Sequence, residues 1–181
     1  MGAKLLEPDK LRGGYYTSPA VARWLCDTAI ESRTDRVLEP SCGDGVFIEA
    51  AANRLLALGA EREQVAGQLL GIEITPAEVR KSVARLQPLI GDSASRAMYC
   101  GDFFLWLREQ RATPFDCVIG NPPFIRYQNF PEPSKSYAMD LMKQLGLLPN
   151  KLTNVWVPFV AGAIDLLAPK GRLAMVLPAV V

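Results

Sequence analysis

An asparagine, two prolines and an aromatic residue follow an apolar run in the second half of the chain. The run is FDCVIG over 115–120, and the motif NPPF occupies 121–124. Asn121 offers a carbonyl acceptor and an amide donor, and Pro122 has no N–H, so its carbonyl is available without a competing ladder bond. Phe124 adds a flat apolar face. Two acceptors and a stacking ring suit a planar base with an exocyclic amine, because holding the amine localises its lone pair and makes it nucleophilic.

Three other apolar runs end in a carboxylate. Glu39 precedes the turn PSCGDG, Glu73 is the next-to-last residue of QLLGIEI, and Asp102 lies in GDFF. Gly43 and Gly45 let the turn approach a ligand closely. Glu73 is placed to accept from ribose hydroxyls, and Asp102 could accept from an exocyclic adenine amine. Because carboxylates repel phosphate, the set predicts a site for an adenosine with a positive or amine-containing tail.

Each of these features also has a structural interpretation. A Gly-rich turn joins strand to helix in many folds, Glu73 suits a solvated turn, and Asp102 suits the N-cap of a helix over LWLREQR. The N-cap and the ligand role of Asp102 are compatible. NPPF alone is more often a turn with a core Phe, but four such strand ends in succession favour a binding site.

Alternating strands and helices must position these residues. We predict strands over 36–40, 68–74, 97–103, 115–120 and 172–181, and helices over 18–30, 45–59, 75–86 and 154–171. This pattern predicts a parallel sheet with helices on both faces, which presents ligand sites at the carboxyl ends of its strands. Residues 125–153 are polar, contain proline and are only partly helical, which is typical of functional or mobile segments.

The composition excludes several classes of protein. With 181 residues, 49% of them apolar, the chain suits one globular domain, and a net charge of +1 lacks the basic footprint of a self-sufficient nucleic-acid binder. The absence of histidine excludes Ser-His-Asp and Cys-His mechanisms. Four widely spaced cysteines favour reduced thiols in a cytoplasmic enzyme over a disulfide scaffold or a metal site. No apolar run is long enough to cross a membrane.

Together the motifs resemble those of class I S-adenosylmethionine-dependent methyltransferases, and specifically the gamma-class N6-adenine DNA methyltransferases of restriction-modification systems. YYTSPAVARWL is similar to their N-terminal motif, VLEPSCGDGVFIEAA to the first cofactor motif, GIEI and GDFF to the next two, and NPPFIRYQ to the catalytic motif. The resemblance runs from about Gly14 to Ala179. It implies a Rossmann-like α/β fold with a mostly parallel sheet, here without the family's last strands.

The resemblance also implies roles for individual residues. Thr17 would bind the methionine carboxylate of S-adenosylmethionine, and Glu39 its amine. Phe124 would stack on an adenine flipped out of double-stranded DNA. The residues implied to bind the cofactor are Tyr16, Thr17, Glu39, Pro40, Ser41, Cys42, Gly43, Glu73, Ile74, Asp102, Phe103 and Asn121. The implied catalytic residues are Asn121, Pro122, Pro123 and Phe124.

The same resemblance predicts the domain organisation. Residues 1–35 would form a lead and a helix with the N-terminal motif, and 36–181 a partial catalytic domain. A target recognition domain outside this chain would explain the neutral charge. The apolar end of the sequence predicts a fragment of a longer protein, able to bind cofactor but not to methylate a specific DNA sequence. Arg126, Lys135 and Lys143 are candidates for DNA backbone contacts, or ordinary solvated charges.

Other interpretations stay open. An N-P-P-aromatic motif also serves protein-glutamine and RNA methyltransferases, although glutamine methyltransferases usually carry a helical domain before the cofactor loop, and only about forty residues precede it here. The chain could also be a non-catalytic S-adenosylmethionine-binding module. An NAD-dependent dehydrogenase is disfavoured because G-x-G-x-x-G is absent. A cytosine-C5 enzyme would need its cysteine nucleophile beside a proline, whereas Cys117 lies within a predicted strand.

Overall fold

The computed structural model describes residues 17–109, 113–150 and 153–179. The α-helices in these ranges are α1 Pro19–Ala29, α2 Val46–Ala57, α3 Arg62–Gln68, α4 Pro76–Ile90, α5 Phe103–Glu109, α6 Ser134–Gln144 and α7 Trp156–Asp165. The strands are β1 Val37–Glu39, β2 Leu69–Glu73, β3 Met98–Cys100, β4 Phe115–Gly120 and β5 Leu167–Met175. Within the same ranges, no helix is long and apolar enough to cross a membrane.

The five strands form one parallel sheet in the order β3-β2-β1-β4-β5. The chain adds strands outward in one direction from β1 to β3 and then returns, so β4 lies on the other side of β1. A reversal of this kind opens a crevice at the carboxyl ends of the two central strands, where open α/β sheets bind their ligands. The predicted parallel sheet is confirmed.

Two apolar layers enclose the sheet. On one face α1, α2 and α4 pack around residues such as Phe47 and Leu86. On the other face α5, α6 and α7 pack around Phe103. Val37 belongs to the first layer and its neighbour Leu38 to the second, because successive strand side chains point to opposite faces. The prediction of helices on both faces is therefore confirmed.

The C-terminal elements differ from the prediction. The helix predicted over 154–171 ends at Asp165, and the strand predicted to start at 172 starts at Leu167. Leu167 already pairs with β4, and the register then shifts before Arg172 pairs with Cys117. Pro-Lys-Gly therefore lies in an irregular part of β5, where Lys170 adopts a φ of 69°, and does not end a helix.

Other boundaries shift for local reasons. The strand predicted over 97–103 ends at Cys100, because Asp102 accepts backbone N–H bonds that start α5. Thr75 is at the N-cap position of α4, as expected, but its side chain makes no capping hydrogen bond. The sequence did not predict α3, and the partly helical segment 125–153 contains α6.

Candidate functional site

One cavity of about 680 Å³ lies at the carboxyl ends of the strands. Glu39 of β1, Glu73 of β2, Asp102 after β3 and Asn121 after β4 all line it. The four strand ends that the sequence singled out are thus brought together, as the parallel sheet requires.

The wall of the cavity is acidic. Its carboxylates are Glu39, Asp44, Glu73, Glu78 and Asp102, and neither Lys nor Arg lines it in the described part of the chain. A phosphate would meet several negative charges here, whereas a cationic or amine-bearing ligand would be attracted. Across the described ranges, no group of three or more Cys, Asp or Glu side chains is arranged to hold a metal ion.

The loop between β1 and α2 is drawn tightly against α4. Gly43 and Gly45 have φ angles of 53° and 87°, which side-chain-bearing residues rarely adopt. The Ser82 hydroxyl of α4 donates to the Gly43 carbonyl over 3.0 Å. Arg85, also on α4, donates to the Asp44 carbonyl over 2.8 Å and to its carboxylate over 2.6 Å. Helix α4 therefore fixes the loop that borders the cavity.

Glu73 holds the same loop from the strand side. Its Oε2 accepts from the Gly43 N–H at 2.9 Å, and its Oε1 accepts from the Thr75 N–H at 2.7 Å. Each carboxylate oxygen has about two acceptor positions. The side chain can therefore shape the loop and still accept two ligand hydroxyls.

Glu39 is the most unusual group in the cavity. Its side chain is buried, with a relative exposure of 1%, and its Oε2 has no hydrogen-bond partner among the described residues. Burial raises the pKa of Glu39 well above its usual range, and the Cys42 thiol and the Ile48 backbone N–H lower it by less. A buried carboxylate without a cationic partner is costly. A positive group in the cavity would supply the missing partner.

The structure also brings β4 close to Glu39. Gly120 has a φ of 140°, and a Cβ built on it would lie 3.4 Å from Cγ of Glu39. The backbone directly before Asn121 therefore passes close to the buried carboxylate, in a conformation that favours glycine.

Asp102 connects the cavity to two helices. Its Oδ1 accepts from the backbone N–H groups of Phe104 and Leu105 at 2.8 and 3.0 Å, which caps α5. Its Oδ2 accepts from the Ser134 hydroxyl of α6 at 2.7 Å. The predicted N-cap is confirmed, and one acceptor position on Oδ2 is left for a ligand.

The two apolar residues predicted to flank an adenine differ in exposure. Ile74 is 60% exposed beside the cavity. Phe103 also lines it but is only 2% exposed, because its ring stacks on Phe159 with centroids 5.2 Å apart. A ligand could contact most of the Ile74 side chain, whereas Phe103 exposes only a small part of its ring to the cavity.

The NPPF motif enters the site through its asparagine. Nδ2 of Asn121 donates to Oγ1 of Thr17 over 3.2 Å, and the Ser41 hydroxyl donates to the Asn121 backbone carbonyl over 3.3 Å. Pro123 lines the cavity too. Pro122 is buried and Phe124 half-buried, and neither is part of the described cavity wall.

The remaining predicted residues fall as follows. Pro40 and Cys42 line the cavity with Ser41 and Gly43, whereas Tyr16 lies outside the described residues. Cys117 is fully buried in β4, and burial raises the pKa of its thiol to about 12, so it lacks the properties of a nucleophile.

Sequence reasoning missed one wall of the cavity. This wall consists of Ile125, Asn129, Phe130, Pro131, Val155 and Phe159. Most of these residues come from the long segment after the motif, where no periodicity distinguished them. Neither Phe130 nor Phe159 stood out in the sequence, because their place in the wall depends on how α6 and α7 dock.

The strand order and the cavity at its reversal point define the fold of class I S-adenosylmethionine-dependent methyltransferases. Solved structures share it. A Listeria monocytogenes protein assigned to that class has a TM-score of 0.58 at 16% identity, covering 98% of this chain and 48% of its own. A chain of the DrdV–DNA complex has a TM-score of 0.69 at 17% identity, and the match covers 93% of this chain and 21% of that one. The methyltransferase subunit of a type I restriction-modification system from Streptococcus thermophilus has a TM-score of 0.65 at 22% identity. The match covers 91% of this chain and 34% of that subunit.

A sequence model of the N-6 DNA Methylase family matches residues 6–181, and the chain belongs to this family. The predicted family resemblance is thereby confirmed. Type II methyltransferase M.BstVI of Geobacillus stearothermophilus is 28% identical over 92% of this chain and 33% of its own length. Type II methyltransferase M.TthHB8I of Thermus thermophilus is 28% identical over 92% and 35%. The chain spans about a third of the length of these curated relatives.

Proposed function

We propose that this chain is the cofactor-binding and catalytic part of an enzyme that methylates the N6 amine of adenine in double-stranded DNA, with S-adenosylmethionine as the methyl donor. The observation that carries the proposal is the buried Oε2 of Glu39, which lies in the same cavity as Asn121 and has no hydrogen-bond partner in the described part of the chain. Family membership and the names of the type II methyltransferase relatives support the reaction.

The cavity fits this cofactor in size and charge. A volume of about 680 Å³ lies within the usual range for small-molecule sites, and the acidic wall suits a ligand with an ammonium and a sulfonium group. When bound, S-adenosylmethionine supplies an electrophilic methyl group. We assign Glu39 to its ammonium, Thr17 to its carboxylate and Glu73 to its ribose hydroxyls. The residues that shape the rest of the site are Pro40, Ser41, Cys42, Gly43, Ile74, Asp102 and Phe103, with Tyr16 preceding them in the chain.

Asn121 and Pro122 would bind the target amine. The Asn121 side-chain carbonyl and the Pro122 backbone carbonyl would each accept one N–H of the adenine amine, which turns its lone pair toward the methyl group. Thr17 supports this role because it accepts from Nδ2 of Asn121, which directs the other end of the amide away from Thr17. Pro123 would fix the turn, and Phe124 would stack on the flipped base.

Most of the binding to DNA would be made by regions of the protein outside this chain. The chain carries only one more positive than negative charge, whereas affinity for a duplex comes largely from cationic contacts to phosphate. We therefore assign residues 1–35 to the lead and first helix, 36–181 to the catalytic domain, and target recognition to a separate region. We also propose that the enzyme acts in the cytoplasm as part of a restriction-modification system, in keeping with relatives named type II methyltransferases.

Methyl transfer in the complete protein tests the proposal. Transfer of a radiolabelled methyl group to duplex DNA should fall at least about a thousandfold in Asn121→Ala, because the amine loses its main acceptor. For the same Asn121→Ala variant, calorimetry should find an affinity for S-adenosylmethionine within about threefold of wild type. Asn129→Ala is the matched control, since Asn129 lines the same cavity but lies outside the motif.

The same assay separates the alternatives. Duplex DNA, RNA and a glutamine-bearing protein are offered side by side. Methylation of RNA or protein in place of DNA would assign the site to those substrates, and cofactor binding without any transfer would identify a non-catalytic module. Undiminished DNA methylation by Asn121→Ala would contradict the role of the motif.

A further inference from the structure

Ser134 is the one residue of α6 that reaches the cofactor cavity through a hydrogen bond in the described chain. Its side chain is buried, with 5% exposure, and its hydroxyl donates to Oδ2 of Asp102 over 2.7 Å. Serine is usually exposed, and this one begins the helix that follows the NPPF segment. The bond joins residues 32 positions apart.

The bond fixes a carboxylate that already has two other partners. Oδ1 of Asp102 accepts from the N–H groups of Phe104 and Leu105, and Ser134 takes one position on Oδ2. Three of about four acceptor positions are then filled. The carboxylate cannot rotate about its Cβ–Cγ bond without breaking all three bonds, and its last acceptor position is held in place.

Helix α6 is held on the core independently of this hydroxyl. Ala138, Met139 and Met142 are buried in the layer that contains α5 and α7. The guanidinium of Arg108 on α5 lies 4.3 Å from the centroid of the Tyr137 ring. Removing the Ser134 hydroxyl should therefore leave the helix docked and Asp102 held only through Oδ1, so that Oδ2 can tilt or take a water molecule.

We propose that Ser134 is a positioning residue that sets the selectivity of the cofactor site for an amine at C6 of the purine, by holding Asp102 in the orientation that accepts the amine. This inference rests on the proposed cofactor site. A fixed acceptor recognises a donor better than one that must first reorganise. A purine with a carbonyl at C6 would place an oxygen against the same carboxylate and be rejected.

The test compares two ligands that differ only at C6. S-adenosylhomocysteine carries the amine and S-inosylhomocysteine carries a carbonyl oxygen. In the full protein we expect calorimetry to give wild type a preference for the adenosyl ligand of about 10- to 100-fold, as for a hydrogen bond to a charged group. Ser134→Ala should lower this preference about three- to tenfold. Ser134→Cys, with a weak donor of similar size, should lower it as well and serves if the alanine variant does not fold.

Ser136→Ala is the matched control. The Ser136 hydroxyl also donates to a carboxylate over 2.7 Å from the first turn of α6, but its acceptor is Glu132, and the residue is exposed. Its variant should keep the wild-type preference within about twofold. Methyl transfer gives a second readout, because Ser134→Ala should raise the KM for the cofactor while kcat at saturation stays within about twofold.

The outcomes separate the two claims. An unchanged or larger preference in both Ser134 variants, with wild type selective, would overturn the role of Ser134 and leave the cofactor assignment standing. If wild type bound neither ligand, the cofactor assignment and this inference would fall together. An equal loss of preference in Ser136→Ala would show a general effect of α6 and overturn the specific role.

Discussion

Gly45 and Gly59 give a controlled test of how tightly the cofactor loop must pack. Both adopt left-handed backbone conformations, with φ angles of 87° and 91°, and they lie at opposite ends of α2. A Cβ built on Gly45 would lie 2.7 Å from Cα of Ser82 and 2.8 Å from its Cβ. A Cβ on Gly59 would meet nothing within 4 Å. Alanine therefore has the same backbone cost at both sites and an added steric cost at one.

The magnitudes follow from these contacts. A left-handed alanine costs about 1–2 kcal/mol, which is the whole effect expected for Gly59→Ala. At Gly45 the obstacle is helix backbone, so α4 or the loop must move by roughly 1 Å, and overpacking of this kind costs about 1–3 kcal/mol more. Gly45→Ala should thus lose about 2–5 kcal/mol, a large part of the ~5–15 kcal/mol that stabilises a domain.

Urea unfolding and cofactor calorimetry measure both consequences. The Ser82 hydroxyl that holds the Gly43 carbonyl sits at the point of collision, so Gly45→Ala should weaken cofactor binding at least about tenfold and Gly59→Ala less than about twofold. Adding Ser82→Gly to Gly45→Ala removes the Cβ and Oγ atoms of residue 82 but leaves its Cα in the way, so the double variant should recover only part of the lost unfolding free energy. Equal losses of unfolding free energy in the two alanine variants would refute the packing argument.

Three further predictions concern the charges and hydrogen bonds of the site. Burial raises the pKa of Glu39 in the folded state, so this residue lowers the stability of the fold as the pH rises above its unfolded-state pKa of about 4.3. Between pH 5 and 8, the unfolding free energy of Glu39→Gln should therefore fall less than that of wild type. Cofactor affinity should fall about tenfold or more in this variant; a gain would contradict the ammonium role. Thr17→Val removes the acceptor for the Asn121 amide and should lower kcat of the full protein about tenfold, while Thr17→Ser stays within about threefold. Arg85→Met loses the ion pairs to Asp44 and Glu49 and should lower the unfolding free energy by about 1 kcal/mol, with a smaller loss in 1 M salt. A loss that does not change with salt would contradict an electrostatic contribution of these pairs.

The polar strand ends could be predicted because a parallel sheet relates sequence position to location simply. Short apolar runs bounded by Gly or Pro mark the strands, and in a parallel sheet their carboxyl ends share an edge. Glu73 and Asn121 therefore needed no knowledge of packing to be placed in one site. The N-cap role of Asp102 was also predictable, because an Asp directly before an apolar helical stretch is typical of an N-cap.

The rest depends on contacts that only the folded chain creates. The ring of Phe103 faces the core because Phe159, 56 positions later, stacks on it. The bond from Ser134 to Asp102 depends on how α6 docks, and no local pattern marks that serine. The start of β5 was misjudged because Pro-Lys-Gly resembles a helix end, whereas pairing with β4 extends the strand past it. Long-range pairing outweighed local preference in each case.

The reversal of strand order explains how one small edge of the sheet can hold both proposed substrates. Because β4 lies beside β1, Glu39 and Asn121 come together although they are 82 positions apart, and Gly120, directly before Asn121, has a φ of 140° that favours glycine. Thr17 then joins the start of α1 to the Asn121 amide. A carboxylate suited to the proposed donor's ammonium and an amide suited to the proposed acceptor's amine are thereby held at the ends of two adjacent, paired strands. Because β1 pairs directly with β4, a substitution that shifts β1 should also misplace the proposed target amine.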